Sequence, residues 1–248
     1  MFSAEYRERV GEQLIEIARN DAAISAAAVV GSSASGGDRW SDLDLTFAVA
    51  EGHSVQDVLK SWTDRVDAEF EAVVLLDVPF LSTIYRVFLF PGALQVDLSF
   101  TPASEFGARG PRFKLIFGEA VERPFTPPPS PEDLFGIGVH HAVRAHICIE
   151  RGLLMQAEYW LHEIRNQGLS LACCRHGLEP SHGRGLDKLP TSVKHAFAGT
   201  LVTDITVDEL RRALAIATSG LLREAESCIV IDERIGPMLA EICQPASI

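Results

Sequence analysis

A dense proline segment divides this chain into two parts with different residue patterns. Five of the thirteen prolines fall within the eleven residues PFTPPPSPEDL, at 124–134. Because proline lacks a backbone N–H and has a fixed φ, this segment can continue neither a helix nor a central strand. Strand-like and helical patterns alternate before it, and helical patterns prevail after it. We therefore predict an α+β protein with two domains, 1–123 and 131–248, joined by a linker at 124–130.

The first part has the patterns of two helices and five strands. Apolar residues at helical spacing predict a helix over 5–19, and Ser54 is a residue type that caps the N-terminus of a helix. Apolar and β-branched runs predict strands at AISAAAVVG, LDLTFAV, EAVVLLDV, STIYRVFLF and LQVDLSF. The PGA at 91–93 separates the last two runs and is expected to form a hairpin turn.

The second part is predicted to be entirely helical. Helical patterns cover 131–150, 153–176, 192–199 and 206–227. The last of these begins at Thr206, with Glu209 three residues later, which is the spacing of a capping box. The sequence shows no internal repeat that would predict a solenoid or another repeat architecture.

The charge and composition limit the classes of partner. The formal net charge is −12. Non-specific nucleic-acid binding depends on many Lys and Arg contacts to phosphate, so a nucleic-acid partner is not expected, and a small substrate, including a cationic one, is favoured. No apolar run is long enough to span a membrane, and the N-terminus is amphipathic rather than signal-like. We expect a cytoplasmic protein with no membrane partner, whose five cysteines are reduced packing residues.

Two aspartates follow a turn rich in glycine and serine, in the segment GSSASGGDRWSDLDLTFAV at 31–49. Side chains alternate along a strand, so Asp42 and Asp44 point to the same side, about 7 Å apart along the backbone. Unpaired carboxylates at a half-buried site repel each other, and a cation would reverse that cost. In the turn, Gly31 allows close approach of the backbone, and Ser32 with its neighbouring amides can bind phosphate oxygens.

A third acidic residue, Asp97, stands in the strand-like run LQVDLSF. If this run pairs with the strand that follows Asp42, neighbouring strands are about 4.8 Å apart and three carboxylates meet on one face. Such oxygen ligands suit one or two Mg²⁺ ions shared with substrate phosphates. The alternative for Asp42 and Asp44 alone is that they are solvated or cap a turn, because D-x-D motifs are common.

Taken in order, these features resemble a known family pattern. An apolar strand, a Gly-Ser turn, D-x-D, a helix and a later strand with one inward Asp are similar to the nucleotidyltransferase superfamily that includes DNA polymerase β, and specifically to its small bacterial antibiotic-type members. Residues 26–100 carry the resemblance, through Gly31, Ser32, Asp42, Asp44 and Asp97. The resemblance implies a mixed sheet flanked by helices in the first domain.

The same resemblance implies nucleotidyl transfer with two Mg²⁺ ions. Asp42 and Asp44 would hold the ion on a nucleoside triphosphate, with ATP as the first candidate, and together with Asp97 they would hold a second ion that activates an acceptor hydroxyl. Pyrophosphate would be released. The implied acceptor is a small hydroxyl-bearing molecule such as an aminoglycoside-like antibiotic. In some relatives the third carboxylate is a general base, so both roles are open for Asp97.

The helical part resembles, less specifically, the substrate-binding domains of aminoglycoside and lincosamide nucleotidyltransferases. A triphosphate carries about four negative charges, so a cation from this domain is electrostatically sensible, and the candidates are Arg165 and Lys188. The alternatives are that Arg165 pairs with Glu158 or Glu163 and that Lys188 is a solvated loop charge. Some antibiotic-type relatives complete the pocket across a dimer, so a homodimer is also compatible with the resemblance.

Two other functions fit parts of the sequence. A protein-modifying enzyme, similar to nucleotidyltransferase antitoxins, would transfer the nucleotide to a Ser, Thr or Tyr hydroxyl, although such antitoxins are often shorter and lack so large a helical part. A catalytically silent nucleotide-binding or interaction module is the other alternative. A degenerate site would be expected to lose at least one acidic residue, whereas Asp42, Asp44 and Asp97 are all present here.

Overall fold

The computed structural model describes residues 1–125 and 127–244, except the side chain of Ser35. The chain divides into two compact units, Met1–Thr126 and Pro127–Ile248. Each unit has its own hydrophobic core. The predicted α+β class, with a mixed sheet followed by a helical part, is confirmed. The catalytic and substrate-binding roles assigned to domains 1–123 and 131–248, and those limits themselves, stay predictions.

The first unit contains two helices and six strands. The helices are α1 Ala4–Arg19 and α2 Val55–Phe70, and the strands are β1 Ile24–Val30, β2 Leu43–Val49, β3 Val73–Phe80, β4 Thr83–Phe90, β5 Leu94–Pro102 and β6 Phe113–Phe117. Ser54 caps α2 as predicted, because its side chain accepts a hydrogen bond from the Asp57 N–H. The PGA segment forms a turn between β4 and β5, which pair as an antiparallel hairpin. Strand β6, at the edge of the sheet, was not predicted because its five residues show no clear alternation.

The six strands form one mixed sheet in the order β3-β4-β5-β2-β1-β6. The pair β2 and β5 is parallel and every other neighbouring pair is antiparallel. In the parallel pair, Asp44 lies directly opposite Asp97, and Thr46 lies opposite Ser99. The two central strands therefore bring residues from distant parts of the sequence into one register.

The two central strands direct alternate side chains into an apolar core and toward the opposite face of the sheet. Phe47 of β2 and Phe100 of β5 pack with Trp62 of α2, with ring centroids 4.7 to 5.5 Å apart. Apolar residues of α1 and α2 complete this core. The alternate residues of each strand, including Asp44 of β2 and Asp97 of β5, point to the other face, which we call the site face.

The second unit is helical as predicted. Its helices are α3 Pro131–Glu150, α4 Leu154–Arg175, α5 Thr191–Ala198, α6 Val207–Glu226 and α7 Ile235–Ile242. Helix α7 was not predicted. The capping box at α6 is only half formed: the Thr206 hydroxyl accepts a hydrogen bond from the Glu209 N–H. The Glu209 carboxylate instead accepts hydrogen bonds from Thr203 and Arg212, because these groups supply several donors at once.

All five cysteines are free thiols in the structure, as expected for reduced packing residues. Burial raises the pKa of Cys173 and of Cys243, so their thiolates are disfavoured. Among the residues that the structure describes, no helix combines the length and the apolar character needed to cross a membrane.

Candidate metal centre

The turn after β1 brings the backbone against one of the predicted metal ligands. Gly31 has a φ of +66°, in the left-handed region that favours glycine. A Cβ atom at this position would lie 2.0 Å from Oδ2 of Asp44, which is far inside van der Waals contact. Any other residue at position 31 would therefore displace the Asp44 carboxylate. The glycine of the predicted Gly-Ser turn has a direct steric role in the site.

The loop between Gly31 and Asp42 is tied to the protein at several points. The Ser33 hydroxyl donates a hydrogen bond of 3.0 Å to the backbone oxygen of Asp42. Arg7 of α1 donates to the backbone oxygens of Asp38 and Ser41. These bonds hold the end of the loop beside the start of β2, and so they position Asp42, which directly precedes that strand.

Three carboxylates converge on the site face. Asp44 and Asp97 are direct neighbours on the parallel strands β2 and β5, and Asp42 lies two residues before Asp44. One carboxylate oxygen from each residue can be chosen so that all three lie within 4.8 Å of one another. Each of the three residues is half-buried. The structure thus brings together the three residues that the sequence predicted as metal ligands.

Burial and a neighbouring charge act on Asp97. Burial raises the pKa of this carboxyl, a hydrogen bond from the Gln95 amide opposes that rise, and the negative charge of Asp42 adds to it. The Gln95 bond is 3.0 Å long and joins two residues on the same face of β5. The cluster is therefore costly to keep ionised without a cation, which is the electrostatic condition that favours metal binding.

The donor set fits Mg²⁺. All three side chains offer carboxylate oxygen, the ligand type that hard divalent cations prefer. The hydroxyl oxygen of Ser32, the residue after Gly31, is buried and has no hydrogen-bond partner among the described residues. A buried hydroxyl without a partner is rare and calls for a ligand, a water or an ion. The Gly-Ser turn and the three aspartates adjoin each other, because Gly31 lies directly against the Asp44 carboxylate.

A cavity of about 300 Å³ lies at the Asp42 side of the cluster. Its lining includes Trp40, Ser41, Asp42 and Gln95. Trp40 is 57% exposed, so its ring lies largely outside the apolar core. The Arg39 guanidinium lies 4.1 Å from the centroid of its ring.

A second cavity, of about 140 Å³, lies on the same face beyond Asp44 and Asp97. Thr46 and Ser99 are part of its floor, and Arg109 and Arg112 are part of its wall. Sequence reasoning missed both arginines, because they stand in the irregular segment between β5 and β6. The only signal there is two basic residues beside Gly110 and Pro111, and this pattern is also typical of ordinary surface loops.

The two cations predicted from the second unit have different surroundings. Arg165 of α4 donates hydrogen bonds to Thr200 at 3.2 Å and contacts the His162 ring at 2.7 Å. Burial lowers the pKa of its guanidinium. Neither Glu158 nor Glu163 forms an ion pair with it within the described residues, so the predicted alternative pairing is wrong. Lys188 is exposed, and its side chain has no hydrogen bond or ion pair to a described residue, which agrees with a solvated loop charge.

Comparisons with known proteins include likenesses to solved structures. No protein-family model matches the sequence, and no curated protein matches it. A solved structure of an aminoglycoside 6-adenyltransferase from Bacillus subtilis is similar to this chain with a TM-score of 0.43 and 11% sequence identity, over 98% of both chains. We base the functional proposal below on the geometry of the carboxylate site.

Proposed function

We propose that this protein is a Mg²⁺-dependent nucleotidyltransferase. It transfers a nucleoside monophosphate from a nucleoside triphosphate, with ATP as the first candidate, to a hydroxyl group of a small molecule. The observation that carries the proposal is the convergence of Asp42, Asp44 and Asp97 within 4.8 Å beside a glycine-serine turn. Three carboxylates, with the unpaired Ser32 hydroxyl in the adjoining turn, are suited to bind cations that in turn bind phosphate.

The roles of the residues follow from their positions. Asp42 and Asp44 would hold a Mg²⁺ ion that also binds the triphosphate, and Asp97 with the same pair would hold a second ion. When bound, these ions supply neutralisation of the phosphate charge and lower the pKa of the acceptor hydroxyl. Ser32 and the neighbouring backbone amides would bind phosphate oxygens. Gly31 keeps the Asp44 carboxylate free of steric conflict.

In the proposed reaction one bond forms and one bond breaks at the α-phosphorus of the nucleoside triphosphate. The acceptor oxygen forms a bond to the α-phosphorus while the bond from that phosphorus to the bridging oxygen of pyrophosphate breaks. The acceptor proton leaves to a base or to solvent. If Asp97 is not a ligand of the second ion, its half-buried carboxylate beside Asp44 is the group placed to accept that proton.

Arg165 and Lys188 remain proposals as triphosphate ligands. Lys188 is the better candidate, because its ammonium group is exposed and uncommitted within the described residues. Arg165 already donates to Thr200 and contacts His162, so a role with phosphate would require those bonds to be shared or exchanged. The homodimer and the cytoplasmic location are likewise proposals taken from the sequence.

A substrate screen tests the function. The full chain is incubated with Mg²⁺, each of the four labelled nucleoside triphosphates and a panel of hydroxyl compounds that includes aminoglycosides. Release of pyrophosphate and formation of a nucleotide-modified acceptor are measured. We expect release that requires both Mg²⁺ and an acceptor, and that is absent in D44N.

The other functions give different results in the same screen. Label transferred to a protein, with no small-molecule product, would identify the protein-modifying alternative. Magnesium-dependent nucleotide binding by calorimetry, without turnover of any acceptor, would identify the silent module. Absence of magnesium-dependent nucleotide binding would contradict every version of the proposal.

A further inference from the structure

We propose that the acceptor carries an anionic group, a phosphate or a carboxylate, and that Arg109 and Arg112 bind this group in the cavity beyond Asp44 and Asp97. The inference rests on the proposed function, because it assigns one of the two substrates of that reaction to a place on the site face. It also narrows the acceptor from hydroxyl compounds in general to those with a negative charge.

The cavity lies next to the carboxylate site along the direction of both central strands. Thr46 and Ser99, which are in its floor, each follow a site aspartate by two residues on the same face of the sheet. Two residues along a strand span about 6.6 Å. A molecule of a few carbon atoms could therefore have its hydroxyl at the carboxylates and its other end in the cavity.

The lining of the cavity has the chemistry of an anion site. Besides the two arginines, its lining includes four residues that carry a hydroxyl group, Thr46, Tyr85, Ser99 and Thr101, of which Thr101 already shares a hydrogen bond with Thr83. Guanidinium groups bind phosphate and carboxylate oxygens in a fork geometry, and hydroxyls can donate to the remaining oxygens. The volume of about 140 Å³ equals that of about five water molecules, enough for one such group and the carbon attached to it.

The two arginines are held differently. Arg109 donates a hydrogen bond of 3.3 Å to Thr83, and its guanidinium lies 5.1 Å from the centroid of the Phe80 ring, so its orientation is fixed. Arg112 is half-buried, and among the described residues it has no hydrogen bond or ion pair. A guanidinium held partly out of water without a partner is available for an incoming anion.

The one acidic residue in the lining does not cancel this charge. Glu105 forms an ion pair of 3.5 Å with Arg123, and Arg123 also donates to the Glu105 backbone oxygen. The cavity therefore has an excess of positive charge, although the whole chain has a net charge of −12. The overall charge favoured a cationic acceptor, and the local charge disfavours one, because ammonium groups would face two guanidinium groups.

The position of the cavity favours the acceptor over the triphosphate. The loop from Gly31 to Asp42, which is expected to bind the phosphates, is tied to the Asp42 side of the cluster through Ser33. The arginine cavity lies beyond Asp44 and toward Thr46, and its lining also includes Val30, the residue before the loop begins. Attacking and leaving oxygens lie roughly in line on opposite sides of the α-phosphorus. With the leaving pyrophosphate at the Asp42 end of the loop, where Ser33 holds the Asp42 backbone, the entering hydroxyl would lie on the cavity side of Asp44.

Direct binding of small anions tests the inference without any turnover. Calorimetric titrations use inorganic phosphate and glycolate, with a chelator present so that the carboxylate site holds no cation. We expect wild-type protein to bind at least one of them, R112Q to bind it about 10- to 100-fold more weakly, and R112K to be intermediate. The control is K114Q, which removes an exposed charge two residues away and should bind as the wild type does.

Absence of binding by the wild type, or equal binding by wild type and R112Q, would overturn the inference. R109Q provides a second variant if R112Q fails to fold, which circular dichroism would show. In that variant we expect the same direction of change. Loss of binding in K114Q equal to that in R112Q would also overturn it, because general surface charge would then explain the affinity.

Turnover then separates this inference from the proposed function. The acceptors are glycerol 3-phosphate, glycerate, glycerol and kanamycin, which differ in charge. Support for the inference is a kcat/KM at least tenfold higher for an anionic acceptor than for glycerol, with that preference reduced in R112Q. Activity with kanamycin but not with the anions would overturn the inference and leave the proposed function standing. No pyrophosphate release with any acceptor would contradict the proposed function, and with it the acceptor role of the cavity.

Discussion

The two faces of strands β2 and β5 differ in chemistry, although both are formed by alternating residues of the same two strands. On one face, Phe47 and Phe100 are fully buried against Trp62. On the other, Asp44 and Asp97 lie side by side with Thr46 and Ser99 next along the strands. The first face supplies stability and the second supplies a candidate site. Substitutions on the two faces should therefore affect different measurements.

The largest expected effect is on the site face. We expect D44N to reduce nucleotidyl transfer at least about 1,000-fold, because a neutral amide cannot replace a carboxylate as a ligand of a cation bound to triphosphate. This loss corresponds to about 4 kcal/mol in the activation free energy. Initial rates of pyrophosphate release measure it.

D67N is the matched control for that change. Asp67 is an exposed residue of α2, on the helices that pack on the other face, and its loss should leave the rate within about twofold. The melting temperature of D44N should not fall below that of the wild type. A rate for D44N near that of the wild type would show that the cluster does not hold the catalytic cation.

The next effect is on the apolar face. Phe100 is completely buried, so F100A should lower the free energy of unfolding by about 3–5 kcal/mol through lost burial and the cavity that remains. Denaturant titration measures this loss. At a temperature where the variant is still folded, its affinity for Mg²⁺ should stay close to that of the wild type. A large loss of affinity without a loss of stability would break the separation of the two faces.

Gly31 lies against the site face, and its substitution should give a smaller effect with a matched control at another glycine. G31A adds a Cβ that would lie 2.0 Å from the Asp44 carboxylate, and it also imposes an unfavourable φ. We expect a loss of about 1–2 kcal/mol in stability from the backbone term and a further loss of affinity for Mg²⁺.

G36A separates these two contributions. Gly36 has a φ of +91°, but a Cβ at that position would meet nothing within 4 Å. This variant should show the backbone cost while it keeps the affinity for Mg²⁺. Equal affinities of G31A and G36A would show that the position of the Asp44 carboxylate is not sensitive to residue 31.

The smallest expected effect is a gain in stability. In a chelator, D97N should raise the free energy of unfolding by about 0.5–1 kcal/mol, a modest value because the group is only half-buried and solvent screens it. Burial and Asp42 raise the pKa of Asp97, so the repulsion appears as the pH rises through that pKa. The gain should therefore be larger at pH 7 than at about pH 4.

With Mg²⁺ present, D97N should lose its advantage in stability over the wild type. Mg²⁺ should raise the melting temperature of the wild type, because it binds the folded state, and should raise that of D97N much less. Thermal unfolding with and without Mg²⁺ measures both. If Mg²⁺ stabilised D97N and the wild type equally, Asp97 would not be a ligand.

The sheet and the carboxylate site could be predicted because their signals are local. Alternation along LDLTFAV and LQVDLSF places Asp44 and Asp97 opposite the apolar residues of each strand, and the Gly-Ser turn precedes the first of them. The one step that was not local is the pairing of β2 with β5, which entered the prediction as a condition: only if the two strands pair do the three carboxylates meet. The register Asp44 to Asp97 meets that condition.

The arginine cavity and the partners of Arg165 and Glu209 could not be predicted from the sequence, because they depend on tertiary contacts. Arg109 and Arg112 are brought over Thr46 and Ser99 by an irregular segment whose path no periodicity encodes. Arg165 was a candidate for binding the triphosphate, with pairing to a glutamate of its own helix as the alternative. In the structure it donates to Thr200, 35 residues away. Glu209 was expected to cap its own helix, but Arg212 and Thr203 offer its carboxylate more donors and hold its pKa at about 2.

The most direct test of the account is a crystal structure of the protein grown with Mn²⁺ and a non-hydrolysable nucleoside triphosphate analogue, with anomalous data collected for manganese. We expect at least one anomalous peak on the site face, with oxygens of Asp42 and Asp44 at about 2.0–2.2 Å and the phosphates as further ligands. Anomalous density elsewhere on the protein, with these carboxylates bound only to water or to side chains, would contradict the account.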